Sequence, residues 1–374
     1  LLPDGTEIPG TNFDYNYLQH RKVDVVSSAL DFILPFEKYK ITAGAKVSFT
    51  NTRNGINYDT SDPTLVQDDY FRYKEQIYAL YADYSREFSE RFSMQLGLRM
   101  EHTRTTGISE AKDTEDKHDY TRLFPTVYLL YSPTDGHALN FSFSNRISRP
   151  SQNMVNPFPF YQNKYTYACG REDLKPSYTY NAELGYTLKN NFNVSAYYSY
   201  SDDVFFQVVD LDAETNVTSF LWENFMQTHA FGLNNSYTFR TKWLQAYAQH
   251  GVSYRRTTSS AATTSPEEKG WAYDASLRNT FFFNEKKTLL ATLSGSYSSR
   301  QYQGIYLMSP TYSVSAGMLY RLLDNKLNLS LNVNNLFVSH SKLETMSNGL
   351  KIIADNQFAF ASFRIGVSYT FGGD

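Results

Sequence analysis

From Leu174 onward the sequence alternates polar and apolar residues so regularly that little besides a long antiparallel hairpin can accommodate it. Pro176 forces an extended entry. Tyr178, Tyr180, Ala182, Leu184, Tyr186 and Leu188 then fall on one face of a strand, and Ser177, Thr179, Asn181, Glu183, Gly185 and Thr187 fall on the other. Asn190 and Asn191 are the expected two-residue turn, since asparagine tolerates positive φ. Phe192, Val194, Ala196, Tyr198 and Tyr200 carry the apolar face back, and the hairpin is expected to end near Asp210. The same code recurs in Ile41–Phe49, Met94–Met100, Leu327–Val333 and Phe363–Phe371.

An apolar aromatic face opposite a polar face has two outlets, a soluble core or lipid. Tyr 31 and Phe 27 beside a mean hydropathy of −0.49 favour a barrel that shows its rings to lipid and keeps its other face wet. No apolar run is long enough for a transmembrane helix. With 35 basic and 38 acidic residues there is no electrostatic footprint for nucleic acid. The single Cys169 excludes an internal disulfide framework. Seven short turns alternate with longer connections, among them polar loops expected at 51–72, 105–119, 148–176 and 257–270. Short connections on one side and long ones on the other are the habit of outer-membrane barrels. The fold class is therefore all-β, a transmembrane antiparallel up-and-down β-barrel forming one domain over residues 1–374. Fifteen strands are expected, the last over about 354–371, whereas bacterial single-chain barrels close with an even number. A chain lacking its first strands and an N-terminal plug would reconcile the two. His250 falls on the apolar parity of its strand, which predicts a bulge or an interfacial position there.

A short set of residues adds a resemblance. Arg149-Pro150, Asn156-Pro157, Gly170 and Leu174-Lys175-Pro176 stand ahead of the alternating strand as they do in TonB-dependent receptors, specifically the outer-membrane β-barrel family common in Bacteroidetes. Arg171 stands where that family has asparagine, and Ser177 where glutamate is frequent. Tyr369-Thr370-Phe371 resembles the aromatic ending used as an assembly signal. The resemblance implies a Gram-negative outer membrane, with its lipids and lipopolysaccharide as surroundings. It also implies ligand capture by outer loops, and import powered by an inner-membrane energy-coupling protein through an N-terminal part that is not in this sequence.

Candidate chemistry is sparse. Glu110, Asp113, Glu115, Asp116 and Asp119 lack the spacing of a calcium loop, and Asp202, Asp203, Asp210, Asp212 and Glu214 read as solvated acids at the outer end of the hairpin. The seven histidines are scattered, which predicts no metal site, and no nucleophile motif predicts an enzyme or a cofactor. Phe158, Phe160, Tyr161, Tyr165 and Tyr167 are the candidate ligand-binding residues, because rigid amphipathic rings on an outer loop suit a small-molecule, glycan or peptide ligand. Packing of the same rings over the barrel mouth is the competing reading. At the level of the whole chain the alternatives are a passive porin or hydrophobic-compound channel, and a secreted all-β glycan-binding or adhesion protein.

Overall fold

The computed structural model describes residues 15–60, 68–110, 112–212, 214–337, 341–356 and 361–371. The expected N-terminal loop, residues 1–10, lies outside them. The chain begins with β1 (Tyr15–Pro35), β2 (Tyr39–Thr60), β3 (Asp69–Ser89), β4 (Phe92–Ser109), β5 (Thr114–Tyr131) and β6 (His137–Ser148). A compact excursion follows, with α1 (Gln152–Val155), β7 (Phe160–Asn163) and β8 (Thr166–Cys169). The sheet resumes with β9 (Ser177–Leu188), β10 (Phe192–Asp212), β11 (Val217–Arg240), β12 (Leu244–Ser259), β13 (Glu267–Phe282) and β14 (Leu289–Ser298). Next come β15 (Gln301–Gln303), β16 (Tyr306–Met308), β17 (Thr311–Leu322), β18 (Leu327–Asn334), β19 (Ser341–Ser347), β20 (Leu350–Asn356) and β21 (Ser362–Tyr369).

Fifteen of these strands form one continuous antiparallel wall. Sequence neighbours pair throughout, except where β6 pairs β9, β14 pairs β17 and β18 pairs β21 across inserted elements. Among the described residues β1 and β21 each keep one unpaired edge. Strands β15, β16, β19 and β20 make a separate four-stranded sheet at the long-connection end.

The wall is two-faced, as the alternation predicts. Leu80, Leu98, Leu184, Leu233, Leu277 and Leu293 are exposed on one parity. Rings bracket this band. Phe36 stacks on Tyr39 at 4.5 Å and Phe88 meets Phe92 at 5.4 Å at the short-turn end. Tyr200 meets His229 at 4.7 Å and Tyr254 meets Trp271 at 5.2 Å at the other. These are the aromatic girdles of a membrane-spanning band. The opposite parity packs polar groups closely. A Cβ on Gly97 would stand 2.3 Å from Asp83 Oδ1 and 2.4 Å from Thr126 Oγ1.

Several expectations need correction. Residues 51–60 and 105–109 are not loop, because β2 runs to Thr60 and β4 to Ser109, with β5 resuming at Thr114. β2 and β11 are 22 and 24 residues long, about twice the 9–11 that span a bilayer, so they project well beyond it at the long-connection end. There the ladder persists without lipid on either face, and side-chain bonds such as Asn57 Nδ2 to Asp68 Oδ2 (3.1 Å) reinforce it. The tight turn of the central hairpin uses positive φ at Lys189 and Asn190, one residue earlier than the Asn190-Asn191 reading. Asp202 and Asp203 lie within β10, where the register to β11 shifts locally and Asp203 adopts φ +52°, and the strand continues past them to Asp212. The terminal strand expected at 354–371 is two elements, β20 and β21. His250 sits in an unbroken register with Asn235 and Ala275, well inside the girdles, so neither a bulge nor an interfacial position accounts for it.

Candidate functional site at the barrel mouth

The segment from Arg149 to Pro176 folds back against the polar face at the outer end of the wall. Pro150 ends β6, and Ser151 starts the single turn of α1. Arg149 anchors it. Its Nη2 donates to Glu101 Oε2 (2.6 Å) and Thr103 Oγ1 (3.1 Å), and its Nε lies 3.9 Å from Glu75. Arg99 donates to the other Glu101 oxygen at 2.5 Å. Glu101 is thus buried between two guanidinium groups, which is how a buried carboxylate stays tolerable.

The remaining motif residues gather around α1. Gly170 N donates to Asn156 O (2.9 Å) and Arg171 N donates to Met154 O (2.8 Å). A Cβ on Gly170 would lie 2.2 Å from Asn156 O, so only glycine lets the two segments meet. The Asn156 side chain accepts from Phe158 N (3.2 Å), and the Pro157 carbonyl accepts the Cys169 thiol (3.1 Å). Burial pushes the Cys169 thiol above its ordinary pKa, which keeps it a protonated donor. Leu174 joins Val155, Phe158, Ile56 and Phe71 in a core, and Phe71 meets Phe158 edge-on at 6.2 Å. Asn224 of β11 brackets Lys175, accepting from its N–H (2.8 Å) and donating to its carbonyl (2.9 Å). Arg171, the departure from the family pattern, bonds Asp173 (2.6 Å) and Glu223 of β11 (3.1 Å), adding a second tie to the same strand.

Sequence reasoning missed the floor of this site. Ile56 and Phe71 are apolar residues on the wet parity. That mismatch was the available signal, but it was hidden inside residues read as loop.

Above the core lies a cavity of about 270 Å³, lined by Tyr58, Phe160 and Trp222 with Asn153 and Asn156 among the polar groups and Phe158 at its edge. Tyr58 donates from its hydroxyl to Pro159 O (2.8 Å), which holds its ring in place. Strand β8 pairs parallel with β11, and Tyr161 faces Tyr167 across the β7–β8 hairpin at 5.5 Å. Tyr165 is exposed at the tip, with Lys164 5.7 Å from its ring centre. The ligand-binding candidates therefore divide between the cavity (Phe158, Phe160) and the hairpin above it (Tyr161, Tyr165, Tyr167).

The far side of the β10–β11 hairpin carries a second core, where Val208, Val209, Phe225 and Met226 pack against Ile305 and Tyr306. Trp222 lies 6.4 Å from both Phe205 and Phe206, and Phe206 lies 5.4 Å from Tyr306, so rings link the two cores. At the hairpin tip the Thr215 hydroxyl and the Glu214 amide hold the Asp212 carboxyl below the usual range. Among the described residues no group of three His, Cys, Asp or Glu is placed to hold a metal ion.

A lipid-facing band between aromatic girdles, a wet inner face and a folded outer segment over residues 149–176 define an outer-membrane β-barrel. The chain belongs to the outer membrane protein beta-barrel family, whose sequence profile matches residues 2–369. Among solved structures it resembles the copper transporter OprC (TM-score 0.69, 13% identity), covering 95% of this chain and 58% of that one. It also resembles the ferric yersiniabactin uptake receptor FyuA from Yersinia pestis (TM-score 0.66, 14% identity, 96% and 56%). A third is the siderophore receptor PiuA from Acinetobacter baumannii (TM-score 0.62, 14% identity, 94% and 56%). The chain thus spans little more than half the length of these structures. A search of the curated proteins finds no match.

Proposed function

We propose that the chain is the wall and outer mouth of a TonB-dependent-receptor-like importer, which binds a nutrient at its outer loops and passes it across the outer membrane. The observation that carries this reading is the ring-and-amide cavity at the mouth, held by the motif residues from Arg149 to Pro176. Its rings offer stacking faces and its amides offer hydrogen bonds, the combination suited to a small ligand. The uptake proteins of the same fold point in the same direction. An open sheet edge has no hydrogen-bond partners in lipid, so the proposal includes further strands to cover the edges that β1 and β21 leave among the described residues. About seven more would complete the roughly 22-stranded, plugged wall of such transporters. A plug and an inner-membrane energy-coupling partner belong to this proposal.

Planar-bilayer recording on protein purified from outer membranes separates the importer from a passive channel. A plugged importer is electrically silent, whereas a steady ohmic conductance would overturn the reading. The tyrosine pair gives a second check. Replacing Tyr161 and Tyr165 by alanine removes two rings worth about 0.5–1 kcal/mol each. The expected result is about tenfold weaker ligand uptake at unchanged surface level, measured with labelled ferric chelates, copper and oligosaccharides. Uptake equal to the parent for whichever of these is transported rejects the ligand role.

A further inference from the structure

A second cavity lies not at the mouth but on the lipid-facing wall. It is a groove of about 560 Å³ across β12, β13 and β14. Its floor is Ala248, Ala275 and Gly295, and its flanks include Tyr273, Tyr297 and His250. The register places these residues on the outward parity. His250 pairs with Ala275 and Ala275 with Tyr297, while Leu277, exposed to lipid, pairs with both Ala248 and Gly295. Small residues here leave a depression where neighbouring columns carry leucine. A histidine facing lipid inside the hydrocarbon band is costly and calls for a partner.

The same columns carry cations toward the outer surface. On β12 and β13 the outward parity continues to Tyr254 and Trp271, which meet at 5.2 Å in the outer girdle, and then to Arg256 and Lys269. Lys269 stands two residues beyond Trp271, about 7 Å at the usual strand rise. Both cations share one carboxylate: Glu267 accepts from Arg256 Nε (2.6 Å), from Arg256 Nη2 and from Lys269 Nζ (2.6 Å). The trio keeps a net positive charge. An arginine has five N–H donors and a lysine three, so most of the donors remain for an oxyanion.

We propose that this column binds a phosphate-bearing lipid of the outer leaflet. Arg256 and Lys269 hold the headgroup phosphate, Trp271 and Tyr254 sit at the ester level, and an acyl chain lies in the groove below with a polar substituent against His250. Charge complementarity selects this occupant over a neutral lipid or a protein segment, because the cations stand at headgroup height in line with the groove. The proposal rests on the outer-membrane location and not on import.

The test uses protein purified from outer membranes in dodecyl maltoside. Diphosphorylated lipid A and its dephosphorylated form are added at equal concentration, and bound lipid is read by native mass spectrometry. R256Q/K269Q is expected to lower occupancy by the phosphorylated lipid about tenfold, leaving the dephosphorylated form unchanged. E267Q, which frees both cations, is expected to raise phosphorylated-lipid occupancy. G295L fills the groove, and its Cβ would meet nothing nearer than Ser313 O at 3.7 Å, so the fold accommodates it while occupancy by both lipids falls. Heat-modifiable gel migration confirms that each variant is folded. Occupancy in R256Q/K269Q equal to the parent, loss of both lipids alike in that variant, or a polypeptide bound in place of lipid would each overturn the proposal.

Discussion

Replacing Arg149 by methionine is expected to lower stability by about 3 kcal/mol and to loosen the segment that carries the mouth cavity. Removing one partner of a buried ion pair costs about 3–5 kcal/mol, because the charge left behind is uncompensated. Here Arg99 still bonds Glu101 at 2.5 Å, which places the loss at the lower end of that range. Glu75, 3.9 Å from Arg149 and half-buried, loses its cation as well. The loss should concentrate where Arg149 joins β6 to α1, so proteolysis between 149 and 176 should accelerate more than global unfolding does. Chemical denaturation in detergent micelles and timed proteolysis measure the two effects. Adding Glu101→Gln to Arg149→Met should recover part of the loss by removing the stranded charge. A single Arg149→Met variant with parental stability and unchanged protection of 149–176 would show that the segment is held by its apolar core alone.

The alternating wall was legible because lipid and water impose opposite demands on the two faces of a strand. Where lipid is absent, the signal fades. Asn51–Thr60 and Thr105–Ser109 lie beyond the membrane, where strand structure is kept by backbone pairing and by polar bonds such as Arg104 to Asp119 (2.8 Å). No hydrophobic period marks them, and they read as loops. The motif from Arg149 to Pro176 was visible as a string of residue types, but its partners were not. Glu101, Asn224 and Phe71 come from three distant strands, and only the register brings them to α1. Trp222 is a clearer case still. Its link between the two outer cores runs through Phe205 and Phe206, just past the local irregularity at Asp202 and Asp203, after which β10 and β11 resume the register they had before it; no pattern within one strand shows which rings meet there. The lipid-facing position of His250 was read correctly from parity. The explanation for it failed, because a sequence shows an outlier on a face but not the depression around it.

Leu184→Arg is expected to cost about 2–4 kcal/mol in a bilayer, and Glu183→Arg, one residue away, much less. Leu184 is 56% exposed on the face between the girdles, with Tyr180 toward the outer surface and Tyr186 toward the short turns. An arginine at mid-membrane depth must snorkel or drag water into hydrocarbon, which accounts for the range. Glu183 faces the other way, opposite Ser142 of β6 and Tyr197 of β10, on a face that already carries charge. A cation there exchanges one hydrated group for another. Tyr180→Arg supplies the depth dependence. It keeps the lipid-facing parity but stands at the girdle, where Tyr180 and Tyr200 stack at 6.1 Å, so its cost should fall to about 0–1 kcal/mol. Urea-dependent folding into phosphatidylcholine vesicles measures all three. The ordering Leu184 above Tyr180, with Glu183 lowest, follows from rings and leucines facing lipid. If Glu183→Arg were the most damaging of the three, the polar face would be the one that must stay dry, and the inside-out arrangement of this wall would have to be reversed.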